Sequence, residues 1–128
     1  MKVLVIDTDK KSPRIEETPG GLEEWQKLVN CRLIAISYYK INGKAYDIIS
    51  DDEALLKAGG KVTAIDRERG PLLVGNLVIC NYDGEGGEAG LSEDDISHIW
   101  ENIVILEEAH PEDPKKPKKW LAIANVEP

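Results

Sequence analysis

Between Leu72 and Ile103 the chain passes through an apolar run (LLVGNLVIC), an acidic glycine turn (NYDGEGGEAG) and a segment marked as a capped helix (LSEDDISHIWENI). This succession constrains the fold more than any other feature. The run is too short to span a membrane and rich in strand formers, so Leu72 to Cys80 reads as a central strand covered on both faces. Gly75 interrupts it, which predicts a bulge or a close backbone approach, with Asn76 held by the distorted ladder. The glycines that follow suit an irregular turn carrying Asp83, Glu85 and Glu88. Ser92 with Asp95 three residues on resembles a capping box. Ile96, Ile99, Trp100 and Ile103 fall at helical spacing and predict a core face, while Glu93, Asp94 and Glu101 point away from it.

The remaining segments predict an α+β domain, a small mixed and mostly antiparallel sheet with two amphipathic helices. Lys2 to Asp7 reads as a first strand, and Pro13 to Thr18 as an edge strand, because proline lacks the donor that a central strand needs. Leu22, Trp25, Leu28 and Val29 give helical spacing over residues 21 to 30, with Glu23 and Glu24 in the first turn. Trp25 and Trp100 are both expected on buried helix faces. Asn42-Gly43 lies between two runs of strand formers and is the pair best suited to a two-residue hairpin turn. That turn sets Ile41 opposite Lys44, Tyr39 opposite Tyr46 and Ile36 opposite Ile49. Tyr38, Tyr39 and Tyr46 are read as cross-strand packing rather than as a base-stacking platform. Lys61 to Asp66 is expected to form a further strand, with Gly59 and Gly60 ending a short helix before it.

The single domain is placed at residues 1–106, followed by a Pro/Lys-rich linker and an apolar segment over residues 107–128. Val104 to Leu106 either extends the second helix or forms a short strand. Trp120 to Val126 is apolar enough to dock as a last strand or to bind something else. Three prolines in HPEDPKKPKK favour an extended connection. Cys31 and Cys80 lack metal spacing and read as two buried thiols. His98 and His110 read as boundary or surface residues. Neither Asp51 to Glu53 nor Asp83 to Glu88 has the alternating oxygens of a calcium loop. No metal, cofactor or catalytic set is expected. The apolar run at the amino terminus is too short for a signal peptide, so a cytoplasmic protein is expected.

The net charge of −8 is unevenly placed. Residues 1–69 carry 12 basic and 12 acidic side chains, residues 70–114 carry 11 acidic and no basic ones, and residues 115–128 carry four basic and one acidic. A segment without a basic residue cannot neutralise itself and projects a negative field. Its ordinary role is a solvated face that keeps a small protein soluble. Asp83, Glu85, Glu88, Glu93, Asp94 and Glu101 are the candidate surface for a partner protein with a basic face, with no direct binding of nucleic acid and no membrane contact. Lys115, Lys116, Lys118 and Lys119 are expected to neutralise the acidic block rather than to form a nucleic-acid patch.

The opening MKVLVID, the segments GGLEEWQKLVN and DIISDDEALLK, the strand PLLVGNLVIC and the turn DGEGGEAGLSEDDIS together resemble a family of small uncharacterised proteins. The family is a domain of unknown function found in phages, plasmids and integrated elements of Gram-positive and gut bacteria. VTAIDRE stands where its members usually carry an Asn-Arg pair. The resemblance covers roughly residues 1 to 103 and implies an α+β fold and a mobile-element setting; it brings no catalytic residue. A small non-enzymatic binding or regulatory protein is the expected function. The alternatives are an acidic antagonist that imitates nucleic acid before a host defence or nucleic-acid enzyme, and a small enzyme with an unrecognised site.

Overall fold

A computed structural model of the chain describes residues 1–57, 60–85 and 87–128. The expected helix stop at Gly59 and the place of Gly86 in the acidic turn lie outside the described residues. Strand β1 (Lys2–Ile6) pairs with β2 (Arg14–Glu17), which forms an edge of the sheet as Pro13 requires. Helix α1 (Leu22–Val29) then crosses one face of the sheet, burying Trp25 and Val29. Strands β3 (Ile34–Ile41) and β4 (Lys44–Asp51) are the expected hairpin, in the expected register of Ile41 with Lys44, Tyr39 with Tyr46 and Ile36 with Ile49. Asn42 and Gly43 take positive φ, as a primed two-residue turn demands.

After a single 3₁₀ turn at Ala54–Leu56, β5 (Val62–Asp66) and β6 (Gly70–Val74) form a second hairpin. Strand β7 (Leu77–Tyr82) lies between β4 and β1 and continues into the short β8 (Glu88–Ala89). Helix α2 (Glu93–Trp100) follows, then β9 (Ile103–Glu107), β10 (Lys119–Ile123) and β11 (Val126–Glu127). The larger sheet runs β11-β3-β4-β7-β1-β2, with β8 on β7; the smaller runs β6-β5-β10-β9. Strand β10 pairs with β5 in parallel, while the other described pairings are antiparallel.

The strand expected from Leu72 to Cys80 is therefore two strands in two sheets. The break falls at Gly75, whose φ of +84° turns the chain from the smaller sheet into the larger. Asn76 secures the turn: its side-chain oxygen accepts from the Thr8 backbone N–H at 2.9 Å and its amide donates to the Val29 carbonyl at 3.2 Å. Only the second half, β7, is central. Residues 103–107 are a strand rather than more helix, and Trp120 to Val126 supplies β10 and the start of β11. The apolar end of the chain thus completes both sheets, at β9 and β5 in one and at β3 in the other.

The core has two parts because β1, β4 and β7 are buried on both faces. Leu4, Ile6, Ile48, Leu77 and Ile79 face Ala64, Leu121 and Ile123 of the smaller sheet, together with Ile99 of α2. Val3, Val5, Ile49, Val78 and Cys80 face Trp25 and Val29 of α1. The alternation of these residues along each strand follows the two-residue period of a β-strand. Cys80 is buried, as expected, whereas Cys31 is half-buried beside the end of α1, so only one of the two thiols matches the reading.

Trp25 meets the expectation at 3 % exposure, but Trp100 is 47 % exposed. Helix α2 presents Asp95 and Ile99 inward, one residue round from the apolar stripe, because Asp95 has partners in the larger sheet that no isoleucine could satisfy. Trp25→Ala is expected to cost about 3 to 5 kcal/mol and Trp100→Ala less than about 1 kcal/mol, measured by urea unfolding. A larger loss at Trp100 than at Trp25 would contradict this packing.

Candidate functional site

The six carboxylates singled out from the sequence gather at one end of β7 but do not form one patch. Asp83 and Glu85 lie in the turn after β7, and Glu88 lies on β8 directly opposite Tyr82. Glu93 and Asp94 open α2 and Glu101 closes it, which separates them by about 12 Å along an eight-residue helix. The sheet divides the rest. Asn81 of β7 faces the α2 side, where its amide donates to Asp95 at 2.8 Å, whereas its neighbour Tyr82 faces the α1 side. Glu93 and Asp94 therefore belong to one face and Glu88 to the other.

Asp95 is the acidic residue of this segment that does not face water. Its backbone N–H donates to the Ser92 hydroxyl, and its carboxylate accepts from the Ser92 backbone N–H at 2.9 Å, completing the expected capping box. The same carboxylate accepts from the Tyr46 hydroxyl at 3.2 Å and forms an ion pair with Lys44. Burial pushes the Tyr46 hydroxyl up to about 12, so it stays a donor at neutral pH. This set is fully paired and holds α2 to the hairpin.

Asp83 is committed to its own turn. Its carboxylate accepts from the backbone N–H groups of Glu85 at 2.6 Å and Gly87 at 2.9 Å, which hold its pKa below the usual range. Glu93 forms an exposed ion pair with Lys2 at 3.5 Å, worth little in water. Among the described residues, Glu85, Glu88, Asp94 and Glu101 have no ion-pair partner.

The α1 side of this end carries residues that the sequence reading passed over. Helix α1 covers only part of the larger sheet, and beyond it lie Ile36, Tyr38 and Tyr82, exposed by 49, 52 and 40 %. The two tyrosine rings meet edge to face at 5.2 Å. Directly opposite Tyr38 on β4 is Asp47, and opposite Asp47 on β7 is the buried Cys80. Asp47 is 8 % exposed. Its pKa is raised by burial first and then by the neighbouring charges of Glu88 and Asp83. Cys80 beneath is pushed to about 12, chiefly by burial, and is inert as a nucleophile. The register from Asn42-Gly43 already placed Asp47 beside Tyr38; what was missing was that β7 and β8 bring Tyr82 and Glu88 to the same face.

The tail lysines do not pair with the acidic block. Among the described residues none of the four ammonium groups lies within ion-pair distance of a carboxylate. Lys119 instead lines a cavity of about 390 Å³ with Lys10, Lys11, Ile105, Pro117 and Trp120. This basic cluster lies beside the loop that leaves β1 at Ile6, which is paired with Leu77 at the start of β7. The acidic turn lies at the other end of that strand, about 20 Å away for six extended residues. The Lys10, Lys11 and Lys119 cluster and the acidic turn are separated by the length of β7.

Among the described residues no helix is long and apolar enough to cross a membrane. The family model described as "Domain of unknown function (DUF3846)" matches residues 1–103 of the 128, and the chain belongs to this family. No curated protein and no solved structure matches it. The matched region ends at the first residue of β9, so β10 and β11 lie beyond it.

Two aspartates give opposite predictions. Asp95→Ala removes a helix cap and orphans a buried donor, and should cost at least about 2 kcal/mol in urea unfolding. For Asp47 the folded-state pKa lies above the unfolded one, so the folded protein holds that proton more tightly. Ionising Asp47 as pH rises through and above the ordinary aspartate range therefore lowers stability. Asp47→Asn should be more stable than the parent at pH 7, with the advantage disappearing below that range. A variant less stable than the parent at pH 7 would show that Asp47 is satisfied in the fold.

Proposed function

Taking the chain as a member of the DUF3846 family, we propose that it is a small, non-enzymatic, cytoplasmic binding protein of a mobile genetic element whose acidic end receives a partner protein with a basic surface. The observation that carries this reading is the group of carboxylates left without ion-pair partners among the described residues. Among the described residues Glu85, Glu88, Asp94 and Glu101 have no ion-pair partner, and of the tail lysines that were expected to cancel them none pairs with a carboxylate, while Lys119 lies towards the start of the strand. Uncompensated charge destabilises a compact domain through self-repulsion, and it is useful when an opposite charge arrives from outside. In its sharpest form the partner is a nucleic-acid enzyme whose phosphate groove the carboxylates occupy. The same field repels duplex phosphates at that end.

The structure changes how this is tested. Ending the chain at Glu108 to remove the lysines would also remove β10, which pairs with β9 and β5, so the truncated chain would test folding rather than charge. Substitution of the four tail lysines by glutamine keeps the strands. Affinity capture from a bacterial lysate, with mass-spectrometric identification, is expected to retain a basic protein that is released as salt rises from 0.1 to 0.5 M, because exposed charges are screened within about 10 Å at the lower value. Against that purified partner, Glu85→Gln, Glu93→Gln and Asp94→Asn combined should weaken binding by about tenfold, roughly 1.4 kcal/mol. Labelled duplex DNA should remain unbound at 0.15 M salt. Partner binding indifferent to both salt and these substitutions, or tight binding of the duplex, would overturn the proposal.

A further inference from the structure

The open face beside α1 differs from an ordinary solvated acidic surface. A sheet face normally exposes polar groups that water satisfies, and buried polar groups normally have partners. Here the carboxylate of Asp47, with nine-tenths of its residue surface removed from water, has no hydrogen bond and no cation among the described residues, and the charges that raise its pKa are negative. Arg14 Nε, 3.4 Å from Glu16 Oε1, is the one fully enclosed side-chain polar atom without a hydrogen bond among the described residues, so the Asp47 oxygens are not fully enclosed. Tyr38 stands directly opposite Asp47 across the ladder, and Tyr82 leans against Tyr38 with Glu88 opposite it. Lys40 is on the same face two residues from Tyr38, but it makes no ion pair with Asp47.

Each group asks for the same kind of occupant. Aromatic faces attract cations, and more strongly when water is partly excluded. A partly desolvated carboxylate flanked by two others favours a positive charge that also donates hydrogen bonds. Among the described residues no three carboxylate, histidine or cysteine groups converge as a metal ion would need, and exposed tyrosine rings favour a flat organic cation. A guanidinium is planar, stacks on aromatic rings, pairs with carboxylates through two parallel N–H groups and is more weakly hydrated than an ammonium. We infer that this face takes an arginine side chain of the partner protein, its guanidinium against the Tyr38 and Tyr82 rings and paired to Asp47, with Glu88 at the rim and Ile36 beside the aliphatic stem.

The inference rests on the acidic end being a partner surface and narrows it to one side chain. The test uses the full-length protein and a defined probe, N-acetyl-arginine methylamide, with the lysine analogue as control, followed by amide and tyrosine-ring NMR signals. The arginine probe should shift signals of Tyr38, Asp47 and Tyr82, at least tenfold more tightly than the lysine probe. Asp47→Asn, which keeps the shape, and Tyr38→Ala, at an exposed position, should each weaken it at least tenfold with the rest of the spectrum unchanged. Equal response to both probes, shifts confined to Glu93 and Asp94, or an Asp47→Asn variant that responds like the parent would each overturn the inference. The outcome is separable from the broader reading. A salt-sensitive partner that ignores Asp47→Asn and Tyr38→Ala leaves the acidic surface and removes the arginine site, whereas arginine binding at Asp47 without a basic partner does the reverse.

Discussion

The buried carboxylate of Asp95 is the contact on which the placement of the carboxyl-terminal third depends. An ionised group deprived of water must be paired and hydrogen-bonded or it drives the fold apart. Asp95 meets that demand with groups from three places: Ser92 of its own helix, Lys44 and Tyr46 of the first hairpin, and Asn81 of β7. Removing any one leaves a charge in a poorer environment, so the set specifies a position and not just an affinity. The other end of α2 is held in the same way. His98 Nε2 lies 2.7 Å from the Ile41 carbonyl, and the Asn102 side-chain oxygen accepts from the Asn125 amide at 2.8 Å. Because Asn125 turns the chain from β10 into β11, the clasp on α2 also fixes how the end of the chain passes from the smaller sheet to the larger.

This arrangement explains why so short a helix is enough. Eight residues are marginal for an isolated helix in water. Here the capping box supplies the start and polar clasps bind both ends, while Ile99 alone is fully buried among the apolar residues of the helix. Trp100 is therefore free to face solvent, and the energy that a periodic reading would assign to the apolar stripe comes instead from a polar network.

The sequence was most legible where the deciding contacts are local. Asn42-Gly43 sets a turn, and the turn sets eight cross-strand pairs without reference to any other part of the chain. Ser92 and Asp95 are three residues apart and the capping box formed as read. Legibility failed where partners are distant. Leu72 to Cys80 looks like one strand because both halves are apolar, but which sheet each half joins is decided by Lys61, Thr8 and Val29, whose groups meet the chain around Gly75 and Asn76. The candidate site divides along the same line. Asp83, Glu85 and Glu88 were visible as a charge run. Asp47 and Tyr38 were visible only as hairpin residues, since their relation to Tyr82 and Glu88 depends on β7 lying next to β4.

Asp47 and Asp95 stand in contrast. Both are aspartates with less than a tenth of their surface exposed, and the fold gives Asp95 five donor groups and Asp47 none among the described residues. Ionising a largely buried carboxylate beside two others lowers the stability of a domain that is stable by only about 5 to 15 kcal/mol. Asparagine, serine or threonine would fit the same strand position without the charge, and threonine is a better strand former. Among the described residues no side chain or backbone donor bonds the Asp47 carboxylate, and no cation pairs with it. A carboxylate that costs stability and has no partner among the described residues fits the proposed arginine, since the charges of Asp47, Glu88 and Asp83 favour a positive visitor.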